Sequence, residues 1–501
     1  MHLPSCTRAA ARARANARAH ARRSRDFLRL EELLARPPFQ GIPIEILPHC
    51  EAVPLGVMVR GIMESLLDAQ ALEELLQVHA PEQYTLELTI DALVNLLIQV
   101  SAGQRASVFA AYTADQAAPE PTISTSYQAL YGKLGRIAPH LSEAIVRFCA
   151  EKQRPILEKL PRADEPTLPG YRTRILDGNV LTGTDHRLGA LRRWINACLP
   201  GKSLVILEPD LGLISDLVLC EDAYTQERAL LDHVLERVQA NDLLVFDRNF
   251  TTRGFAFGIA ERGGFFVGRK HGSSLPVKSV SKLVKCGQTK TGKVYEQLVQ
   301  ATDPDTGATL LLRRIEVRLF EKTRDGEKII ALLTNLPDTV SAIAIAEIYR
   351  KRWTIETLFQ FLTVSLHCEV PGLGKPKAAL FAFAMSLVAS NALAVVRGSL
   401  RAAHGKEGEA EVSGYYLADE VAAEYRTLAK YVRAEMWVGW RKLGAEEMVS
   451  LLTEIARQVN IAELLRNQRG LKKPPDKKPV YNRKHKHFST YRLIEKAEIP
   501  C

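Results

Sequence analysis

Residues 378–396 read AALFAFAMSLVASNALAVV and contain no charged side chain. A helix with no polar face is either surrounded by lipid or wrapped on every side by protein. Ser386, Ser390 and Asn391 interrupt the run, and seven alanines keep it only mildly apolar. The run is therefore expected to be a buried helix, spanning about 376–400, with no membrane partner. Enclosing such a helix takes a large core. With 501 residues, 46% of them apolar and 25% charged, the chain can supply one. Its length suggests roughly three domains.

The surrounding pattern changes along the chain. Residues 40–165 carry apolar side chains at helical spacing, as in GVMVRGIMESLLDAQALEELLQVHA and IDALVNLLIQVSAGQ. They predict a helical N-terminal domain, suited either to DNA contact or to scaffolding. Near residue 170 strand patterns begin. RTRILDGNVL predicts a strand, SLVILEPDLGLISDLVLC two strands about a turn, and NDLLVFDRNF a short strand ending at Asp247. Helices interleave with them, so residues 166–400 are expected to be an α/β catalytic domain. Within it, the short β-like runs of 271–336 are split by Gly, Asp and Pro turns and predict a β-rich insertion. One long helix is expected over 341–367, and a helical C-terminal region over 401–465.

The net charge of +10 sits at the ends. Residues 1–30 hold eight Arg against one Asp, and residues 466–492 hold ten Lys or Arg against one Asp. The stretch between them is mildly acidic. A basic arm (1–39) and a basic tail (466–501) around such a body suit contact with a polyanion, or solubilisation alone. The arm has no apolar signal-peptide core; its Arg/Ala composition fits a disordered arm, a transit-like segment or sequence upstream of the true start. The eight cysteines are scattered without C-x-x-C spacing. This argues against a zinc site or a disulfide framework and fits a reducing cytosol.

Three acids stand out by position. Asp177 and Asp247 end predicted strands, and Glu356 lies in YRKRWTIETLFQFLT (349–363). Acids at strand ends converge at the sheet edge where α/β sites form. Three carboxylates without His or Cys suit a hard cation such as Mg²⁺. Two such ions about 4 Å apart serve phosphoryl transfer. The same acids also make ordinary turn formers and helix caps. On a helix, Tyr349, Arg352 and Glu356 fall on one stripe within roughly 60° of arc. Arg352 is then placed to grip a phosphate. Trp353 lies off the stripe, as a core residue or a stacking platform for an unpaired base.

The spacing Y-x2-R-W-x-I-E at 349–356, with ILDGNVL and VFDRNF upstream, resembles the Tyr-Arg-Glu-Lys signature of DDE-type bacterial insertion-sequence transposases, specifically the insertion sequence 4 family. SYQALYGKL and HCEVPGLGKPKAALFAFAMSLVASN are also similar to one branch, and the resemblance runs from about 50 to 495. It implies a ribonuclease-H-like core interrupted by a β-rich insertion. It implies Asp177, Asp247 and Glu356 as catalytic ligands of two Mg²⁺ ions, with Mn²⁺ as a substitute. Tyr349, Arg352 and, more weakly, Arg248 would contact DNA, with Trp353 at a flipped base. The implied partners are transposon-end and target DNA, bound by a homodimer in a synaptic complex, in a bacterial cytoplasm at the nucleoid. One position departs from the signature: Thr363 stands where the family has Lys, a DNA-contacting position at which its hydroxyl could still donate to a phosphate, more weakly than an ammonium. Either the branch dispenses with that Lys, or Lys375 or Lys377 replaces it, or the copy is an impaired, transposase-derived DNA-binding protein.

Overall fold

The computed structural model describes residues 29–466, apart from 37, 38, 40, 84–86, 119, 182–200, 223, 224, 273, 324 and 325. Most of the basic arm and almost all of the basic tail lie outside the described residues.

After helical residues 29–34, the N-terminal part of the described residues holds α1 (Leu47–Ala52), α2 (Pro54–Leu66), α3 (Ala69–His79), α4 (Ile90–Ser101), α5 (Val108–Gln116), α6 (Tyr127–Leu134) and α7 (Pro139–Lys159). Their starts are chemically marked. Asp68, Ser107 and Ser126 accept backbone N–H groups at the N-caps of α3, α5 and α6, satisfying donors that the helix itself cannot. Proline opens α2 and α7, where its missing N–H costs nothing.

Ten strands follow among the described residues: β1 (Arg172–Val180), β2 (Lys202–Glu208), β3 (Leu213–Cys220), β4 (Asp242–Phe246), β5 (Phe265–Arg269), β6 (Val277–Ser279), β7 (Val284–Gln288), β8 (Gly292–Thr302), β9 (Thr309–Leu319) and β10 (Ile329–Thr334). They form one mixed sheet in the order β3-β2-β1-β4-β5-β10-β9-β8-β6, with β7 on β8. β1, β4 and β5 are parallel, while β2 runs antiparallel beside β1 and β3 antiparallel beside β2. This mixed α/β arrangement is consistent with a ribonuclease-H-like domain. The strands of 277–334 do not stand apart: β10 pairs with β5 and carries the others onto the same sheet.

Alternation along the strands gives the sheet two cores. On one face Leu176, Leu204, Leu244 and Phe266 pack with α8 (Leu231–Leu235) and α9 (Arg253–Glu261). On the other, Ile175, Val205, Val245 and Val267 join the large core shared with the N-terminal helices. At the centre of that core lies the uncharged run. It falls in α12 (Pro376–Ala410), which exceeds the expected 376–400 and is non-helical at Gly405. By length and composition α12 could cross a membrane, but 94% of its most apolar window is buried in the fold. Asn391, buried in that run, accepts the N–H of Ile214 at its Oδ1 at 2.8 Å and donates from its Nδ2 to the carbonyl of Ile214 at 2.9 Å. The polar interruption thus ties the helix to the edge strand β3. α13 (Gly414–Tyr431) and α14 (Ala445–Ala456) complete the helical C-terminal region.

Candidate active site

β1 and β4 are neighbouring parallel strands whose last mutual pair is Leu176 and Phe246. The next residue on each strand is an acid, Asp177 and Asp247. Asp247 follows the last residue of β4, whereas Asp177 does not end its strand as expected: β1 runs on to Val180, held by its pairing with β2. Each carboxylate also makes a local bond. Asp177 Oδ1 accepts the Gly178 N–H at 2.9 Å, and Asp247 Oδ1 accepts the Asn249 N–H at 2.7 Å. Each local bond uses one carboxylate oxygen and leaves the other for the site.

The third acid arrives from α11 (Trp353–Ser365), which follows α10 (Ala342–Lys351). The single helix expected over 341–367 is therefore two helices meeting at Arg352. There the ladder tightens to i→i−3 bonds: the Arg352 N–H reaches the Tyr349 carbonyl at 3.1 Å, and the Ile355 N–H the Arg352 carbonyl at 3.2 Å. The Arg352 guanidinium spans two of the acids. Its Nη1 donates to Asp177 Oδ2 at 2.8 Å and its Nη2 to Glu356 Oε1 at 2.6 Å. Asp177 and Glu356 thus meet through Arg352, whose side chain is only 14% exposed.

Electrostatics ties Asp247 to the same group. Burial pushes the Asp177 carboxyl up to about 6; the Arg352 charge opposes this, while Asp247 and Glu356 add to it. Burial also raises the Tyr349 hydroxyl, against Arg352 and Arg269, with Asp247 contributing to the rise. Tyr349, Arg352 and the three acids therefore share one site.

The remaining expected residues lie around it. Arg248 is exposed and pairs with Glu327 at 3.6 Å. Trp353 is 65% exposed beside Arg352, so it is not a core residue. Thr363 is exposed, and its hydroxyl donates back to the Phe359 carbonyl at 2.9 Å. Lys377 pairs with Glu221 at 3.8 Å, and the Lys375 side chain lies over Gly135.

One acid went unnoticed in the sequence. Glu227, in a 3-10 turn over Glu227–Leu230, accepts from Asn249 Nδ2 at 2.7 Å. A Cβ on Gly178 would come within 2.5 Å of its Oε1. Glu227 thus packs against both acid-bearing segments, β1 at Gly178 and the turn after β4 at Asn249. It sits in the amphipathic run YTQERALLDHV, where no spacing marks it out.

Residues 168–388 match the family model of the transposase DDE domain. The matched stretch includes Asp177, Asp247 and Glu356, and it supports a DDE-type transposase. The helical regions on either side lie outside it. No curated protein matches the chain.

The donor chemistry of the site fits a hard divalent cation. The site offers oxygen ligands only, and the raised Asp177 carboxyl reflects crowded negative charge in a desolvated place. Among the described residues, however, no group of three acidic, His or Cys side chains is arranged to hold a metal. Arg352 serves as counter-charge to Asp177 and Glu356 here, a role that a bound cation would share or take over.

Proposed function

We propose that this chain is a DNA transposase of the insertion sequence 4 type, which cleaves the ends of its element and joins them to target DNA. The observation that carries the reading is the meeting of Asp177 and Glu356 on one arginine, with Asp247 at the adjacent strand end. Asp177, Asp247 and Glu356 would hold two Mg²⁺ ions, or Mn²⁺ in their place. When bound, such ions supply Lewis acidity to an in-line displacement at phosphorus.

The chain's own residues position the DNA. Arg352 offers a planar pair of donors that suits phosphate as well as carboxylate. Tyr349, half-buried next to it, keeps its proton and so can donate to a phosphate oxygen. Arg248, at the exposed start of its turn, adds a backbone contact. Trp353 presents an open ring on which an unpaired base can stack. In the first step water displaces a 3′-oxygen at each element end. The freed 3′-hydroxyl then attacks a further phosphodiester, first on the opposite strand and later in target DNA. Two ends have to be held together, so a homodimer in a synaptic complex is part of the proposal. So are the residues 40–165 as a DNA-contacting unit, and a bacterial cytoplasmic setting.

The test is a plasmid carrying the element's inverted repeats, incubated with the protein and Mg²⁺. Linear and joined products are expected from wild type and none from Asp247→Ala. Equal products from the two would overturn the proposal.

Thr363 favours a second reading, a DNA-binding protein descended from a transposase. Its hydroxyl is bonded within its own helix rather than offered as a charge. Salt-sensitive binding to the repeats without any metal-dependent nicking would select this reading.

A further inference from the structure

The parallel strands β1, β4 and β5 lie in register: Leu176 is opposite Phe246, and Phe246 is opposite Gly268. One residue further along each strand stand Asp177, Asp247 and Arg269. The row that carries two acids of the candidate site thus carries an arginine as its third member. Alternation puts all three on the face of Ile175, Val245 and Val267, where Ile345 and Ile348 of α10 also pack. The Arg269 charge acts on the Tyr349 hydroxyl of that helix.

Arg269 is held by an acid from outside the site. Its Nη2 donates to Glu327 Oε2, and Glu327 Oε1 lies 3.6 Å from Arg248 Nη1. Leu332 of β10 is opposite Arg269 and runs the other way, so the residues before it overhang the edge on which the acids stand. Lys328 falls about 13 Å beyond Arg269 at the rise of a strand. The β9–β10 turn there touches the β7–β8 turn, where the Phe320 N–H donates to the Thr291 carbonyl at 3.0 Å. This tip carries Lys290, Lys293, Lys322 and Lys328, all exposed and without a hydrogen bond or ion pair among the described residues. Nearby acids do not offset them: Glu296 is taken by Arg313, and Glu316 by Arg314 and Arg318. A cationic overhang beside the acids suits the backbone of duplex DNA.

We propose that Arg269 is a further phosphate-binding residue of the site, and that Glu327 holds it in place of a phosphate until duplex DNA takes over. The proposal rests on the transposase reading and adds an exchange step to it. A carboxylate and a phosphate offer a guanidinium the same paired oxygens. Swapping one for the other keeps Arg269 and Arg248 paired throughout. The four lysines of the tip attract the backbone to the place that Glu327 occupies, so the exchange favours DNA where its charge is densest.

Fluorescence anisotropy of a repeat-bearing duplex, titrated with the full-length protein over a salt series without divalent metal, tests this. Arg269→Gln should weaken binding about tenfold and lower the slope of log affinity against log salt by about 0.9. Arg269→Lys should restore the slope. Glu327→Gln, which keeps the shape and removes the charge, should tighten binding about tenfold. Glu321→Gln, an exposed acid of the same turn, controls for charge alone and should tighten it about twofold or less. In the Arg269→Gln background the gain from Glu327→Gln should shrink to about threefold or less. Melting curves identify a variant that misfolds, and the other singly substituted protein then carries the test. Wild-type affinity and slope in Arg269→Gln would overturn the proposal, as would an equal gain from Glu327→Gln with and without Arg269. Either result beside normal nicking by wild type removes this proposal alone; no duplex binding by wild type removes the transposase reading with it.

Discussion

Arg352 donates to Asp177 at 2.8 Å from the junction of two helices, and its other nitrogen holds Glu356. One guanidinium thus neutralises an acid from the sheet and an acid from the helix. Removing it should unbalance the site in a predictable direction. Arg352→Ala leaves three neighbouring carboxylates without a counter-charge, so Mn²⁺ should bind the DNA-free protein more tightly, by about tenfold or more. Strand cleavage should fall, because the same side chain is proposed to hold a phosphate. Titration with Mn²⁺ and a nicking assay measure the two effects; weaker Mn²⁺ binding in the variant would contradict the counter-charge role.

Asp247→Asn keeps the turn, since an amide oxygen still accepts the Asn249 N–H, but removes one charge. Cleavage should drop by at least about a thousandfold with little change in thermal stability. Nicking rates on a supercoiled repeat-bearing plasmid, beside a melting curve, check this. A large loss of stability would make Asp247 a structural residue instead.

Asn391→Leu makes the run 378–396 more apolar and should still destabilise the protein. The substitution strands the N–H and carbonyl of Ile214, both paired to Asn391 at present. Buried groups left unpaired cost about 1–3 kcal/mol each. Chemical denaturation should show a loss of several kcal/mol; an unchanged midpoint would mean that β3 finds other partners.

Glu424 gives the fold a pH dependence away from the acids of the site. Burial pushes its carboxyl up to about 7, the Gly56 N–H opposes this, and Glu420 adds to the rise. A native carboxyl that holds its proton above the ordinary value costs stability as pH rises from about 4.5 to about 7. The folded state binds the proton more tightly than the unfolded one across that window. Glu424→Gln keeps an acceptor for Gly56 and removes the titration. The variant and wild type should be alike near pH 4, and the variant more stable at pH 8 by on the order of 3 kcal/mol. Denaturation midpoints across pH 4–8 measure this; parallel curves would refute it.

Much of the plan was readable in the sequence because its signals are local. Strand and helix periods placed β1, β4 and the buried helix, and the uncharged run could only be enclosed or in lipid. The acids at 177, 247 and 356 stood out from predicted strand ends and from the Y-x2-R-W-x-I-E spacing, although β1 runs past Asp177 to Val180. Other features depend on parts of the chain far apart in sequence. The break at Arg352 needed the tertiary structure: its backbone angles stay helical, and the guanidinium is drawn to Asp177, 175 residues earlier. Glu227 became visible only when Gly178 and Asn249 were folded against it. The placing of β6–β10 on the catalytic sheet rests on β10 meeting β5, a pairing across residues with no periodic link. Local periodicity settles which residues turn inward. Which inward residue meets which is settled by packing, because a partner's identity is written in three-dimensional proximity and not in the spacing of a single segment.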